Sequence, residues 1–253
     1  EEEQRLQAAL ALLETQRFLL GESVFESVVG PIRARLSALQ RVATTDQQVV
    51  KQVSVLFVDL VGSTELGRQL DPEELSTLVD GALLRFTAVV DAHFGKVLQY
   101  AGDSVLAAFG VEAVQEDDAE RAVRCGLAIL DEARAMAREV QARHRLPGLD
   151  VRIGVHTGTV LLGGGVDAEA TIRGHAVNVA ARMEQTAPAG TLRISDSTYL
   201  HVRGVFDVDA QPPLHVKGLQ EPVITYLVRS VKARSFRVAA RGVEDIETRM
   251  IGR

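Results

Sequence analysis

Apolar and β-branched residues crowd into Val53, Val55, Leu56, Phe57 and Val58 and stop at Asp59, the pattern of a buried strand. A helix is predicted from Asp71 to His93, with Asp71 as N-cap, Pro72 at the first helical position, Glu74 three residues past the cap, and Gly95 as its stop. Two strands, Lys96 to Tyr100 and Ser104 to Phe109, flank Ala101-Gly102-Asp103 and read as a tight hairpin. A long helix is predicted over Asp117 to His144. Val151 to Leu162 reads as a strand broken at Gly158 and closed by Gly163-Gly164-Gly165. A helix over 175–186, a strand at Leu192-Arg193-Ile194 and a last hairpin, Leu214 to Lys217 with Val223 to Val228, complete the series. The order is strand, helix, strand, strand, helix, strand, which is the ferredoxin-like split βαβ: an α+β fold with helices on one face of the sheet.

The chain before Val53 has a different rhythm. Leu6, Ala9, Leu10, Leu13 and Leu20 recur at helical spacing, and Gly21 is a stop signal. A second helical stretch with Pro31 in its first turn runs to about Gln40, and Thr44-Thr45-Asp46 reads as a linker. This predicts a helical leader over 1–50, used for pairing or docking, ahead of the α+β domain over 51–230 and a linker over 231–253.

Composition narrows the function classes. The chain has 253 residues, 46% hydrophobic and 25% charged, enough for a soluble domain with its own core. Its formal net charge of −6 disfavours a general nucleic-acid binder. The one cysteine, Cys125, excludes an intrachain disulfide and reads as core rather than as a reactive thiol. No apolar run reaches the roughly 20 residues that span a bilayer, and the start Glu1-Glu2-Glu3 is not a signal peptide. The expectation is a cytoplasmic domain cut from a longer protein.

The candidate chemistry lies at element ends. Asp59 closes the first strand and Asp103 sits in the hairpin turn that the split βαβ topology lays beside it. Either alone reads best as a turn residue. Two neighbouring carboxylates repel unless a cation joins them, and hard divalent ions suit such an oxygen pair. Leu60-Val61-Gly62-Ser63-Thr64 then forms a small-residue turn into a helix, whose backbone N–H groups can hold phosphate oxygens. On the helix over 175–186, Asn178 and Arg182 are four apart and share a face, an amide beside a guanidinium fork suited to phosphate.

Four segments occur in order: Phe57-Val58-Asp59-Leu60-Val61-Gly62-Ser63-Thr64, Ala101-Gly102-Asp103-Ser104, Gly154-Val155-His156-Thr157-Gly158 and Asn178-Val179-Ala180-Ala181-Arg182. Together they closely resemble the class III nucleotidyl cyclases, the adenylyl and guanylyl cyclases, in their bacterial multidomain form. The resemblance implies Asp59 and Asp103 as ligands of two divalent cations, Mg²⁺ or Mn²⁺, with the Leu60 carbonyl as a further oxygen. It implies Asn178 on the ribose, Arg182 on the α-phosphoryl group, and Lys217 of Val216-Lys217-Gly218 on the terminal phosphates. It implies in-line attack of the ribose 3′-hydroxyl on the α-phosphorus of ATP, giving cyclic AMP and pyrophosphate. In this family the acids and the Asn/Arg pair at one substrate come from different subunits, so the expectation is a head-to-tail homodimer with two equivalent shared sites.

Some positions depart from the family pattern. Adenylyl cyclases usually carry Lys where this chain has Gln99, and Asp, Thr or Ser where it has Thr171; guanylyl cyclases usually carry Glu and Cys. Gln99 suits either purine edge, and Thr171 tilts the expectation to ATP over GTP. Thr159 stands where many members have Arg, which implies a weaker grip on the triphosphate, and His156 reads as structural. A nucleotide-binding module without turnover is the second reading, and a diguanylate cyclase the third, since Ala101-Gly102-Asp103-Ser104 replaces that family's hairpin. Thr248 to Arg253 resembles the entry to an ATPase module.

Overall fold

The strands and helices carry the candidate residues to two places on the domain. The structure is a computed structural model that describes residues 5, 6, 9, 10, 13, 25, 29–32, 49–163, 172–216, 219 and 221–232. The few described residues before Val49 are helical, and Phe25 and Val29 among them are buried. The elements are β1 (Val49–Val61), α1 (Ser63–Leu66), α2 (Pro72–Ala92), β2 (Lys96–Ala101), β3 (Ser104–Phe109), α3 (Asp118–His144), β4 (Asp150–Leu162), β5 (Ile172–Arg173), α4 (His175–Thr186), β6 (Thr191–Ser195), α5 (Asp196–Val202), β7 (Phe206–Leu214) and β8 (Val223–Val231). Thr248 to Arg253 lie outside the described residues.

The sheet order is β2-β3-β1-β4-β6-β8-β7, with β5 pairing only β4. Its first four members, joined by α2 and α3, are the split βαβ unit read from the sequence; β4 and β6 pair in parallel and β8 and β7 extend the sheet. Asp71 caps α2 as its sequence signals, its carboxylate accepting from the Glu73 N–H. Alternation sorts β1 into two faces. Leu56, Val58 and Leu60 join Phe86 of α2, Ile129 of α3 and Ile194 of β6 in the main core. Val53 and Val55 point the other way, to a smaller core with Leu106, Ala176 and Ala180.

That second core departs from the simple expectation of helices on one face. The crossover helices α2 and α3 do share a face, whereas α4 covers the opposite one. It does so because β4 offers glycines there. Gly154 and Gly158 alternate onto the α4 side, where added Cβ atoms would collide with the Glu184 and Ala180 backbone and with Ala176 and the His156 ring, respectively. Gly154→Ala is therefore expected to destabilise the domain by about 1–3 kcal/mol, because the obstacle is helix backbone that cannot rotate away. Urea denaturation measures this.

Three other elements differ from the pattern reading. β4 runs unbroken through Gly158, which pairs with Val53 in the β1–β4 ladder. The first strand of the last hairpin is Phe206–Leu214, earlier than 214–217. Asp207, Asp209, Pro212 and Pro213 concealed it, and prolines are tolerated because β7 is the sheet edge. The short helix α5, capped by Ser195 accepting from the Thr198 N–H, lacked an apolar period long enough to be recognised. Among the described residues no helix is long and apolar enough to cross a membrane.

Candidate active site

β1 and β3 pair with Asp59 opposite Ser104, so Asp103, one residue earlier in the turn, lies beside the end of β1. The Leu60 N–H reaches the Asp103 carbonyl at 3.3 Å, closing that end of the ladder. The Asp59 carboxylate is half-buried and held on both oxygens. Ser104 Oγ donates to Oδ1 at 2.7 Å and Arg152 Nη2 donates to Oδ2 at 2.6 Å. Asp103 Oδ2 accepts from Ser63 Oγ at 2.8 Å. Gly62 turns the chain with φ +96°, a left-handed conformation suited to glycine, and thereby swings Ser63 over the hairpin. Val61, Gly62, Ser63 and Thr64 thus wrap the same corner as the two acids.

The charges of both carboxylates act on the Arg152 guanidinium, so Asp103 lies at the same end of the sheet as Asp59. Among the described residues no group of three or more His, Cys, Asp or Glu side chains is placed to hold a metal. Two carboxylates and a main-chain carbonyl nevertheless match the way Mg²⁺ is held, through one or two acids with the substrate's phosphates completing the shell.

Gln99 is exposed on β2. A β-bulge between Val97 and Gln99 sets it opposite Leu106, which faces the α4 side of the sheet. The bulge therefore turns Gln99 to the face that also carries Asp59. Tyr100, next along, points to the other face, and its hydroxyl lies 2.7 Å from Thr87 Oγ1 on α2, which anchors the strand.

On α4, Ala176, Ala180 and Glu184 form the stripe that seats on β4, with Val179 and Met183 packed at its flank against Val216. Asn178 and Arg182 are each two residues from that stripe, a rotation of about 200° at helical geometry. Both are exposed and point away from the sheet that bears their own chain's Asp59. Thr171 and Lys217 lie outside the described residues.

Two residues of this region escaped the sequence reading. Arg152 sits opposite Asp59 on β4, and the Asp59 carboxylate raises its guanidinium above the ordinary arginine value. Glu184 is buried beneath α4, and burial, reinforced by the Asp59 charge and opposed by Arg152, pushes it up to about 7. Arg152 Nε stands 3.6 Å from Glu184 Oε1. The signals were present: a charged residue inside the apolar strand Val151-Arg152-Ile153, and an acid on the buried helical stripe.

His156 has the structural role expected of it. Its Nδ1 lies 2.7 Å from Ser195 Oγ, in a buried hydroxyl chain that continues through Thr198 and Thr157 to Ser54. Burial lowers its pKa to about 4, so the folded protein holds it neutral. The folded state thus binds fewer protons than the unfolded chain between pH 6.5 and 4, and stability falls as pH drops through that window. His156→Asn is expected to flatten this acid limb by about 3 kcal/mol at most, whatever its effect at pH 8. Denaturation midpoints across pH 4–8 check it. Cys125 is buried and its thiol is pushed up to about 12, which makes it inert.

The family described as "Adenylate and Guanylate cyclase catalytic domain" matches residues 45–230. An adenylate cyclase of Mycobacterium tuberculosis is 31% identical over 196 residues, which is 76% of this chain and 43% of that protein. The chain therefore spans less than half of that relative's length. The crystal structure of the adenylyl cyclase CyaB from P. aeruginosa superposes with a TM-score of 0.70 at 30% identity, over 74% of this chain and 98% of that one. The guanylate cyclase domain of RhGC from Catenaria anguillulae, solved in complex with GTP, gives a TM-score of 0.64 at 28% identity, over 72% and 98%. The chain belongs to the class III adenylyl and guanylyl cyclase family.

Proposed function

We propose that this domain converts ATP to 3′,5′-cyclic AMP and pyrophosphate in sites shared by two copies of the chain. The observation that carries this reading is the opposed aim of its two half-sites. Asp59 and Asp103 converge at one corner of the sheet, while Asn178 and Arg182 point outward from α4. A second copy related by a two-fold axis would bring its α4 to the first copy's acids, and symmetry would then make two such sites.

Divalent cations held by Asp59, Asp103 and the Leu60 carbonyl would supply charge neutralisation for the triphosphate and acidify the ribose 3′-hydroxyl. The protein's own groups do the rest. The turn from Val61 to Thr64 offers helix-start N–H groups to phosphate oxygens. The twin's Asn178 orients the ribose, and its Arg182 stabilises the charge that builds on the α-phosphoryl oxygens. The 3′-oxygen bonds to the α-phosphorus as the bond to the β-phosphate bridge breaks, pyrophosphate carries away the electron pair, and the hydroxyl proton passes to solvent. Gln99 faces the base with Thr171, and Lys217 grips the terminal phosphates. We place the segment over 1–50 as a pairing element and the segment over 231–253 as a linker.

GTP is the second reading, because the Gln99 amide presents both a donor and an acceptor and so suits either purine edge. Product analysis with ATP and GTP, each with Mn²⁺ and Mg²⁺, decides between them. Cyclic AMP is expected to predominate. Cyclic GMP as the main product would reverse the base assignment, and nucleotide binding without any cyclic product would leave a binding module only.

A further inference from the structure

Arg152 lies between the two half-sites of a single chain. On one side its Nη2 holds Asp59 at 2.6 Å. On the other its Nε stops 3.6 Å short of Glu184 Oε1, and both of these atoms are buried without a hydrogen-bond partner. Glu184 is 7% exposed, and Arg152 is its ion-pair partner among the described residues. One guanidinium is therefore drawn by two carboxylates, bonded to one and just out of reach of the other. A buried donor facing a buried acceptor across such a gap is an unmade bond, costly to each group while it stays open.

We propose that Arg152 is a positioning residue that couples the two shared sites of a dimer, linking the occupancy of Asp59 to the setting of α4. This rests on the shared-site reading above. A cation at Asp59 competes with Arg152 for the same oxygen and weakens its hold. The guanidinium is then free to close on Glu184. Glu184 belongs to the stripe that seats α4 on β4, and Arg182 is only two residues away on the opposite side of the helix. α4 is a helix of about three turns whose backbone at Ala180 and Glu184 lies close on Gly154, so a pull at Glu184 shifts Asn178 and Arg182 with it. Those two groups serve the other site. Filling one site therefore alters the affinity of the second.

The test uses the full chain, Mn²⁺ and α,β-methylene-ATP, whose blocked bridge prevents turnover, so that binding is read by calorimetry without activity. In the wild-type dimer the two binding steps are expected to differ by about fivefold or more beyond the statistical factor. Glu184→Gln, which keeps the side-chain shape but removes the charge, should bring the steps to within about twofold while both sites still fill. Arg152→Lys, which keeps a cation beside Asp59 but loses the Nε donor, should do the same. Independent steps in the wild type, or an undiminished ratio in both variants, would overturn the coupling and leave the shared site standing. A monomer that binds one equivalent at full affinity would remove the shared site, and the coupling with it.

Discussion

Asp59→Asn is expected to lower kcat by about a thousandfold or more while the domain keeps its fold. Asparagine keeps an oxygen for the Ser104 hydroxyl, so the end of the β1–β3 ladder stays closed. Arg152 loses its charged partner, but the Glu184 carboxylate stands only 3.6 Å away for it to close on, so the guanidinium is not left alone. The stability cost should therefore stay well below the roughly 3–5 kcal/mol of breaking an isolated buried pair. Catalysis has no such alternative. On the proposed reading Asp59 holds divalent cations against the triphosphate, and losing it would remove several kcal/mol of transition-state stabilisation; about 4 kcal/mol is a factor of about a thousand in rate. Steady-state assays with Mn²⁺, beside circular dichroism, separate the two effects. An active Asp59→Asn variant would show that the cations are held elsewhere.

Arg182→Ala carries the second largest expected effect. Its guanidinium is exposed on the outer side of α4 and takes no part in the packing of Val179, Ala180 and Met183, so stability should change by no more than about 0.5 kcal/mol. If it meets charge that develops on the α-phosphoryl group, kcat falls by about a hundredfold or more with little change in KM, because the interaction is stronger in the transition state than in the ground state. A rise in KM alone would make Arg182 a general phosphate anchor. Arg182→Lys should recover only part of the loss, since an ammonium lacks the planar fork.

The contrast between these residues explains what was legible in the sequence. The split βαβ order was readable because α2 is announced by its Asp71 cap and Pro72, α3 by its length and apolar face, and β1 and β3 by short apolar runs that meet the turn residues Asp59 and Asp103. Asp59, Asp103, Asn178 and Arg182 were readable as candidates because each lies in a short motif at an element end or on an exposed helix face. The placement of α4 was not. Its side of the sheet is set by Gly154 and Gly158, and a glycine in a strand reads locally as a break rather than as a seat for a helix. Arg152 and Glu184 were missed for a related reason. A charged residue in an apolar segment gains meaning only when its partner is known, and theirs lie 93 residues away on β1 and one layer away under α4. β7 was concealed by two acids and two prolines that only an edge position tolerates.

Complementation between two inactive variants tests the shared site most directly. Asp59→Asn and Arg182→Ala are each prepared, shown to be inactive, then mixed in equal amounts and allowed to exchange subunits. A mixed dimer has one doubly damaged site and one intact site, in which the acids of the Arg182→Ala copy meet the guanidinium of the Asp59→Asn copy. With random pairing the mixture should regain about a quarter of wild-type turnover. A mixture as inactive as its components, with exchange verified by differently tagged copies, would show that both groups act within one chain.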